Sequence, residues 1–404
     1  MSAVSTVLAG LDAITPEQEE LYVHLHQNPE LSMQETETAA EITKRLESYG
    51  YDVQQIGGGV VGVMKNGEGP TVLFRADIDA LPVPEQTDLP YASTKTAVDR
   101  DGNTVPVMHA CGHDTHITAL IGAAKLMAEN KDQWSGTYIP LFQPAEETAE
   151  GSKSMVDDGL VDKIPKIDVA LGQHVLASPA SGKVGFCPGP FLSVGTSIKV
   201  TVYGKGSHGS MPHLGVDPVL LASNIVVRLQ SIVARDIAPS DFGVVTVGSI
   251  QSGAKSNVIP DKATLLINTR AYDMDVREKI LAGVERIVRT ECQGAGSPQE
   301  PEFEYYDVFP LTDNDVDTTH KVRDAMVEAL GEDRVEWMPP APASEDFSTI
   351  PDAFGVPYTY FGFGGFEEGK GVPNHNPKFG PVMQPTLRTG TEAAVVAAMA
   401  YLGS

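Results

Sequence analysis

The sequence predicts an α/β fold interrupted by a smaller inserted α+β segment. Three observations carry that prediction. Between Thr15 and Leu171, short valine-rich apolar runs alternate with longer stretches of helical periodicity, the pattern of a mostly parallel core sheet covered by helices. The texture changes at Gly185-Phe186-Cys187-Pro188-Gly189-Pro190, after which strand-like runs dominate. From about Leu311 the helical α/β texture returns. These breaks assign residues 1–188 and 311–404 to one discontinuous domain and 189–310 to the insert.

In chain order, Thr15–Leu31 is predicted as a helix, with Thr15 as cap, Pro16 in the first turn, and Glu17, Glu19 and Glu20 at the positive end of its dipole. Ala39–Tyr49 is a second helix, ended by Gly50. Gly59–Lys65 and Thr71–Ala76 are strands. Asp114–Asn130 repeats apolar residues at helical spacing (Ile117, Leu120, Ile121, Ala124), with Asp114 as its N-cap. Thr137–Phe142 and Ile167–Leu171 are further strands. The insert carries strands at Ser197–Tyr203, Val244–Ile250, Ala263–Ala271 and Phe303–Val308, and helices at Pro218–Val233 and Val276–Thr290. Gly294–Pro301 is a polar loop. Helices at His320–Leu330 and Thr386–Leu402 close the chain. There is no internal repeat and no low-complexity tract.

A chain of 404 residues can bury a full core and suggests two or more domains. The net charge of −25 argues against nucleic acid and against anionic membrane surfaces as partners, because both would be repelled. No apolar run reaches the ~20 residues needed to span a bilayer, and Met1–Gly10 lacks a basic, cleavable leader pattern. Three scattered cysteines, Cys111, Cys187 and Cys292, do not form a disulfide framework and suit a reducing compartment, so a cytoplasmic location is expected.

The chemistry concentrates in a few short runs. Met108-His109-Ala110-Cys111-Gly112-His113-Asp114-Thr115-His116 holds three histidines and a cysteine. The i, i+2 spacing of Cys111 and His113 across a glycine suits a tight loop that aims a thiolate and an imidazole at one point, a donor pair for zinc and similar ions. His109 and His116 could ligate or support. A polar loop with a buried cysteine is the competing interpretation of the run alone. Glu146-Glu147 follows an apolar strand, where functional residues of open α/β sheets gather. Adjacent carboxylates divide labour naturally: one binds metal, and the other takes a proton from water. His174 follows Val169-Ala170-Leu171 at another strand end, and His375 lies in the turn-forming Pro373-Asn374-His375-Asn376-Pro377. Together Cys111, His113, Glu147, His174 and His375 would supply ligands for two ions sharing a site. Asp77 and Asp79, at a further strand end, could orient ligand histidines. In the insert, Gly204–His213 is a glycine-rich loop with two histidines. Ser256-Asn257 and Arg270 follow it. A histidine, an amide and a guanidinium could hold an oxyanion and a substrate carboxylate.

The chain resembles the peptidase M20 family, in its amidohydrolase branch, which includes hippurate hydrolases, plant auxin-conjugate hydrolases and bacterial N-acyl-amino-acid aminoacylases. The resemblance runs from about Glu19 to the C-terminus. It rests on His26-Gln27-Asn28-Pro29-Glu30-Leu31-Ser32, Phe74–Pro82, Met108–Asp114, Gln143–Glu147, Ser207–His213, Ser256–Asp261 and Ser344-Glu345-Asp346-Phe347, in that order. Met155–Leu160 is similar to the corresponding stretch of corynebacterial aminoacylases that cleave N-acylglutamine conjugates.

The resemblance implies a zinc-exopeptidase-like catalytic domain with an inserted lid that also forms a homodimer. It implies two divalent ions per subunit, held by Cys111, His113, Glu147, His174 and His375. Zinc is favoured by the thiolate, with manganese or cobalt as alternatives. Glu146 is implied as general base and His208 as the lid histidine that stabilises the oxyanion, in relatives often in the partner subunit's site. Asn257 and Arg270 are implied near the substrate carboxylate. The implied reaction cleaves the amide bond of N-acyl-L-amino acids, with N-acylglutamine as one candidate substrate. A dipeptidase or carboxypeptidase of the same family is the alternative. Relatives outside this branch have a histidine at the position of Asp77 and an aspartate at that of Cys111, which leaves metal identity open. Two other classes compete: a binding protein that has lost catalysis, against which every expected ligand is present, and a metal-free Cys–His hydrolase using Cys111.

Overall fold

The computed structural model of the protein describes residues 2–403. The chain divides into two compact units. One comprises the residues up to Phe191, Asp313–Pro339 and the chain from Asp346 on; the other comprises Leu192–Thr312 and Pro340–Glu345.

The first unit is built on an eight-stranded mixed sheet. Its strands lie in the order Asp52–Ile56, Gly59–Asn66, Gly136–Gln143, Thr71–Asp77, Val169–Ala180, Tyr358–Phe366, Val184–Phe186 and Val335–Trp337. The central pairings, which join Thr71–Asp77 to Gly136–Gln143 and to Val169–Ala180, and the latter to Tyr358–Phe366, are parallel. Gly136–Gln143 and Tyr358–Phe366 are buried along their whole length, as strands covered on both faces must be. The covering helices His113–Glu129 and Met383–Leu402 are themselves buried on almost every side. Leu120, Phe74, Phe142, Val395 and Phe361 belong to the resulting core.

Several element boundaries differ from expectation. The first long helix runs Leu11–Gln27, so Thr15 lies inside it and donates its hydroxyl to Leu11 O at 2.9 Å rather than capping. The next runs Thr36–Ser48, starting earlier than Ala39 because the Glu30 carboxylate accepts the N–H groups of Glu37 and Thr38 at 3.1 and 2.8 Å. The helix at His113 is preceded by Gly112, not by Asp114. Asp114 sits in its first turn, where it accepts Thr115 N–H at 2.9 Å. The strand from Val169 continues to Ala180, so His174 is within a strand rather than after one.

The second unit has a four-stranded antiparallel sheet in the order Gly243–Ser252, Lys262–Ala271, Val194–Tyr203, Glu302–Phe309. Burial alternates along Lys262–Ala271, the signature of a sheet covered on one face. The helices Pro218–Ser231 and Met274–Ala295 pack there, capped by Asp217 and Asp273. Segment 340–345 belongs to this unit, although the sequence texture assigned it to the other domain. Leu192 bridges Ala341, and Ser193 N–H donates to Ala343 O at 2.7 Å. Among the described residues, one helical stretch of 19 residues, Pro218–Asp236, is long and apolar enough by length and composition alone to cross a membrane, although Ser223, Asn224, Arg228 and Gln230 interrupt its apolar sequence. Its Leu221, Ala222, Ile225, Leu229 and Ile232 are buried in this unit's core, as in any sheet-covering helix.

Candidate metal centre and active site

The site lies at the C-terminal ends of the central parallel strands of the first unit, where open α/β sheets place their chemistry. Gly112 makes it possible. Its φ is +80°, and a Cβ there would lie 2.4 Å from Val175 Cγ1. Only glycine accommodates both, and the resulting turn leaves Cys111 just outside the helix and His113 on its first position. The second contribution is the turn after Gly136–Gln143. Ala145 has φ +48°, and the next two N–H groups, of Glu146 and Glu147, donate to Asp79 Oδ1 and Oδ2, both at 3.1 Å. His174 is set by the strand at Val169. Its Nδ1 faces Val175 O at 2.7 Å, and because a carbonyl can only accept, the proton is on Nδ1 and the Nε2 lone pair is directed into the cluster. His375 has φ +67°, and its N–H donates to Ala110 O at 2.8 Å.

These four segments converge. Donor atoms of Cys111, His113 and Glu147 all lie within 4.8 Å of one another. Cys111 Sγ is 3.4 Å from His174 Nε2, and His375 Nε2 is 3.2 Å from Glu147 Oε2. All five residues expected as ligands are therefore in one cluster. Asp77, His113, His116 and His174 form an overlapping group. His116 has both ring nitrogens engaged, however: Nδ1 with Asp77, and Nε2 as acceptor of Val175 N–H at 2.8 Å. It supports the site and has no nitrogen left for a cation. His109 is buried away from solvent, and burial, the largest influence, pushes it down to about 4, so it is neutral at physiological pH.

The donor set fits a divalent cation. His113 Nε2 and Glu147 Oε1 are buried without a hydrogen-bond partner, a situation that costs ~1–3 kcal/mol per group unless something else satisfies it. Sulfur, imidazole nitrogen and carboxylate oxygen together suit an ion of intermediate softness. The electrostatics agree. Burial, together with Glu147, Glu146 and Asp77, pushes the Cys111 thiol well above its usual range, a balance that a cation reverses. Burial, with His116 beside it, holds His174 well below the ordinary histidine range, so it is neutral and able to ligate. Burial works to lower His113, but Asp77 and Asp79 hold it up at about 10.

Residues outside the expected set brace the cluster. Ser32 Oγ donates to Asp79 Oδ2 at 2.6 Å, and Asp79 Oδ1 lies 3.2 Å from His113 Nδ1. Asn374 Nδ2 is 3.6 Å from Cys111 Sγ and 3.2 Å from its carbonyl. Buried Arg75 donates to Asp77 Oδ2 at 2.8 Å, to Gln143 Oε1 at 2.9 Å and to Asp346 Oδ1 at 3.3 Å. Ser32 and Asp346 fall in runs that stood out in the sequence, and Asn374 adjoins His375. Their partners could not be read without the fold. Beside Glu147 opens a cleft of about 340 Å³, walled by Leu31, Ala80, Leu81 and Pro82, with Arg100 also lining it.

The three remaining expected site residues lie in the second unit. His208 pairs with Val258 in a two-residue ladder and is exposed. Ser210 N–H donates to its Nδ1 at 3.1 Å, so the neutral ring carries its proton on Nε2, a donor facing solvent. Asn257 adjoins it, accepting Gly209 N–H at 2.8 Å through its carbonyl. Arg270 does not. It is at the other end of the strand Lys262–Ala271, eight residues or about 26 Å from Lys262 at the usual strand rise. There it is half-buried and donates to Asn268 Oδ1 at 3.0 Å and to Ser344.

Residues 73–400 match the sequence profile described as Peptidase family M20/M25/M40. An N-acetyl-L-cysteine deacetylase of Bacillus subtilis is 38% identical over 347 residues, which cover 85% of this chain and 79% of the relative. A thermostable carboxypeptidase of Saccharolobus solfataricus is 36% identical over 385 residues, 93% of each chain. The crystal structure of a dinuclear metal-binding peptidase of the M20 family from B. subtilis superposes with a TM-score of 0.77 at 27% identity, covering 96% of this chain and 98% of that one. With the sequence match spanning most of the chain and the donor cluster at the strand ends, the protein belongs to peptidase family M20/M25/M40 and is a metal-binding hydrolase of its amidohydrolase branch.

Proposed function

We propose that the protein cleaves the amide bond of N-acyl-L-amino acids, releasing a carboxylic acid and a free amino acid. The observation that carries this reading is the turn in which Glu147 meets the donor cluster while its neighbour Glu146, 5% exposed, is presented beside it. Cys111, His113, Glu147, His174 and His375 hold two divalent ions in this reading, with zinc favoured by the thiolate. When bound, such ions polarise the scissile carbonyl and acidify the attacking water. Glu146 takes the proton from that water and passes it to the leaving nitrogen. His208, with its Nε2–H outward, donates to the carbonyl oxygen as charge develops there. Asn257 and Arg270 hold the substrate carboxylate.

His208 lies in a separate two-stranded ladder whose partner strand Val258–Ile259 leads into the Lys262 end of the strand Lys262–Ala271, and Arg270 lies near that strand's far end, so a single small substrate does not touch both within one copy of the second unit. This supports a homodimer in which the partner subunit supplies His208 and Asn257. The apolar walls of the cleft beside Glu147 suit an acyl chain. N-acylglutamine is one candidate substrate, and the deacetylase relative supports short N-acyl groups as well. The three unpaired, buried cysteines support action in a reducing compartment, the cytoplasm.

The carboxypeptidase relative favours peptide cleavage as a second reading. A panel of N-acyl-amino acids and free dipeptides, assayed with added zinc or manganese, separates the two. Preference for the N-acyl compounds is expected, and turnover of dipeptides alone would reverse the assignment. Dialysis against a strong chelator is expected to abolish turnover; activity that survives it would instead favour Cys111 as a nucleophile.

A further inference from the structure

The segment from His26 to Glu35 holds a motif to which the proposed chemistry gives no task. Its backbone and side chains reach three parts of the site. Leu31 bridges Ala80, Ser32 donates to Asp79 at 2.6 Å, and the Glu35 carboxylate accepts the N–H of Ala145 at 2.8 Å. We propose that Glu35 is a positioning residue for the Glu146–Glu147 turn, acting through the amide of Ala145.

Three observations carry the proposal. First, Glu35 occupies the N-cap position of the helix Thr36–Ser48 yet makes no capping bond. Glu30 satisfies that helix terminus instead, so helix formation does not explain the Glu35 carboxylate. Second, Ala145 has φ +48°, a conformation alanine enters only when its surroundings hold it there. With Glu35 on Ala145, and Asp79 on Glu146 and Glu147, three successive N–H groups are each held by a carboxylate oxygen from another part of the chain. Such a row of amides is an anion-binding concavity, and the protein fills it with its own carboxylates. Third, the arrangement is costly. Glu35 is 5% exposed, and burial, with Asp79 as a like-charged neighbour, pushes its carboxyl up to about 7. A residue that merely filled space would not need a buried acceptor aimed at Ala145 N–H.

The proposal rests on Glu146 being the general base. The test therefore measures kcat, KM and bound metal for Glu35→Ala, Glu35→Gln and Glu146→Gln, singly and as double variants, with zinc-loaded full-length protein and an N-acetyl-amino acid. An ångström-scale shift of a catalytic group costs up to ~10²-fold, so Glu35→Ala is expected to lower kcat by about 10- to 100-fold, with KM and metal stoichiometry changed less than about twofold. Glu35→Gln keeps an acceptor for Ala145 N–H and is expected to restore most of the turnover. In the Glu146→Gln background, Glu35→Ala is expected to cost less than about twofold, because residues acting through one group are not additive. An equal loss in both backgrounds, or loss of metal in step with activity, overturns the role of Glu35 alone. Wild-type turnover in Glu146→Gln overturns the base assignment itself, and with it the role of Glu35. If Glu35→Ala fails to fold, Glu35→Asp replaces it under the same expectations. It keeps the charge and withdraws the carboxylate from Ala145.

Discussion

His26 Nδ1 lies 2.7 Å from Asp114 Oδ2, and both side chains are buried. The other ring nitrogen meets Glu85 Oε1 at 3.0 Å. The pair ties the helix Leu11–Gln27 to the first turn of the helix that carries His113. Tyr22, Tyr91 and neutral His109 also face it.

Burial works to lower the pKa of His26, but Asp114 and Glu85 hold it up at about 10. A histidine raised in the folded state contributes stability that is fully present below its unfolded pKa of ~6.5 and is lost as pH rises through the folded value. The wild type is therefore expected to lose stability relative to His26→Gln between about pH 6.5 and 10. The His26→Gln variant itself should be less stable near pH 6 by roughly 3–5 kcal/mol, the cost of stranding one partner of a buried pair. Urea unfolding of both proteins across that range measures the difference, and a constant difference would refute the assignment.

Glu146 and Cys111 serve one site but are predicted to fail differently. Glu146→Gln should lower turnover by at least ~10²–10⁴-fold with metal retained. Cys111→Ala should instead lower metal stoichiometry. Elemental analysis alongside steady-state kinetics distinguishes the two, and a Cys111→Ala protein with full metal content would remove Cys111 from the ligand set.

Arg75 is fully buried among Asp77, Gln143 and Asp346. Arg75→Met removes the guanidinium shared by two buried carboxylates, Asp77 keeping only its histidine neighbours, which should cost ~3–5 kcal/mol of stability. Thermal or urea unfolding checks this. A loss under ~1 kcal/mol, the scale of a surface ion pair, would mean that the carboxylates relax or protonate at little cost.

The cleft beside Glu147 gives a prediction about selectivity. Leu81→Trp reduces its volume. The ratio of kcat/KM for N-acetyl over longer N-acyl substrates should rise by about tenfold or more, since one methylene in an apolar pocket is worth ~1–3 kcal/mol. An unchanged ratio across a chain-length series would place the acyl group elsewhere.

The local chemistry was legible because ligands and base sit in short runs whose residue types have few other uses. Cys111-Gly112-His113 and Glu146-Glu147 needed no fold to be suspected. What could not be read were relationships across the chain. Glu35 and Ala145 are 110 positions apart, and nothing local marks them as partners. Asn257 and Arg270 looked like neighbours in one polar set, but Asn257 precedes the strand Lys262–Ala271 and Arg270 is near its far end, a separation only the fold shows. The buried strand Tyr358–Phe366 was missed because its aromatic and glycine run lacks the alternation of a half-exposed strand. Asp114 looked like an N-cap because it is a good capping residue. Its carboxylate is committed to His26, and Gly112 takes that position in the chain.

The contact beneath Gly112 mechanically gears two parts of the centre together. The turn that presents Cys111 and His113 rests directly on Val175, the residue after His174, leaving no space for a methyl group between them. Neither ligand segment can shift toward the other without moving it, so wear in one would show as misalignment in both. Substitutions lining the cleft beside Glu147 leave this contact untouched, but at the bearing under Gly112 there is almost no play.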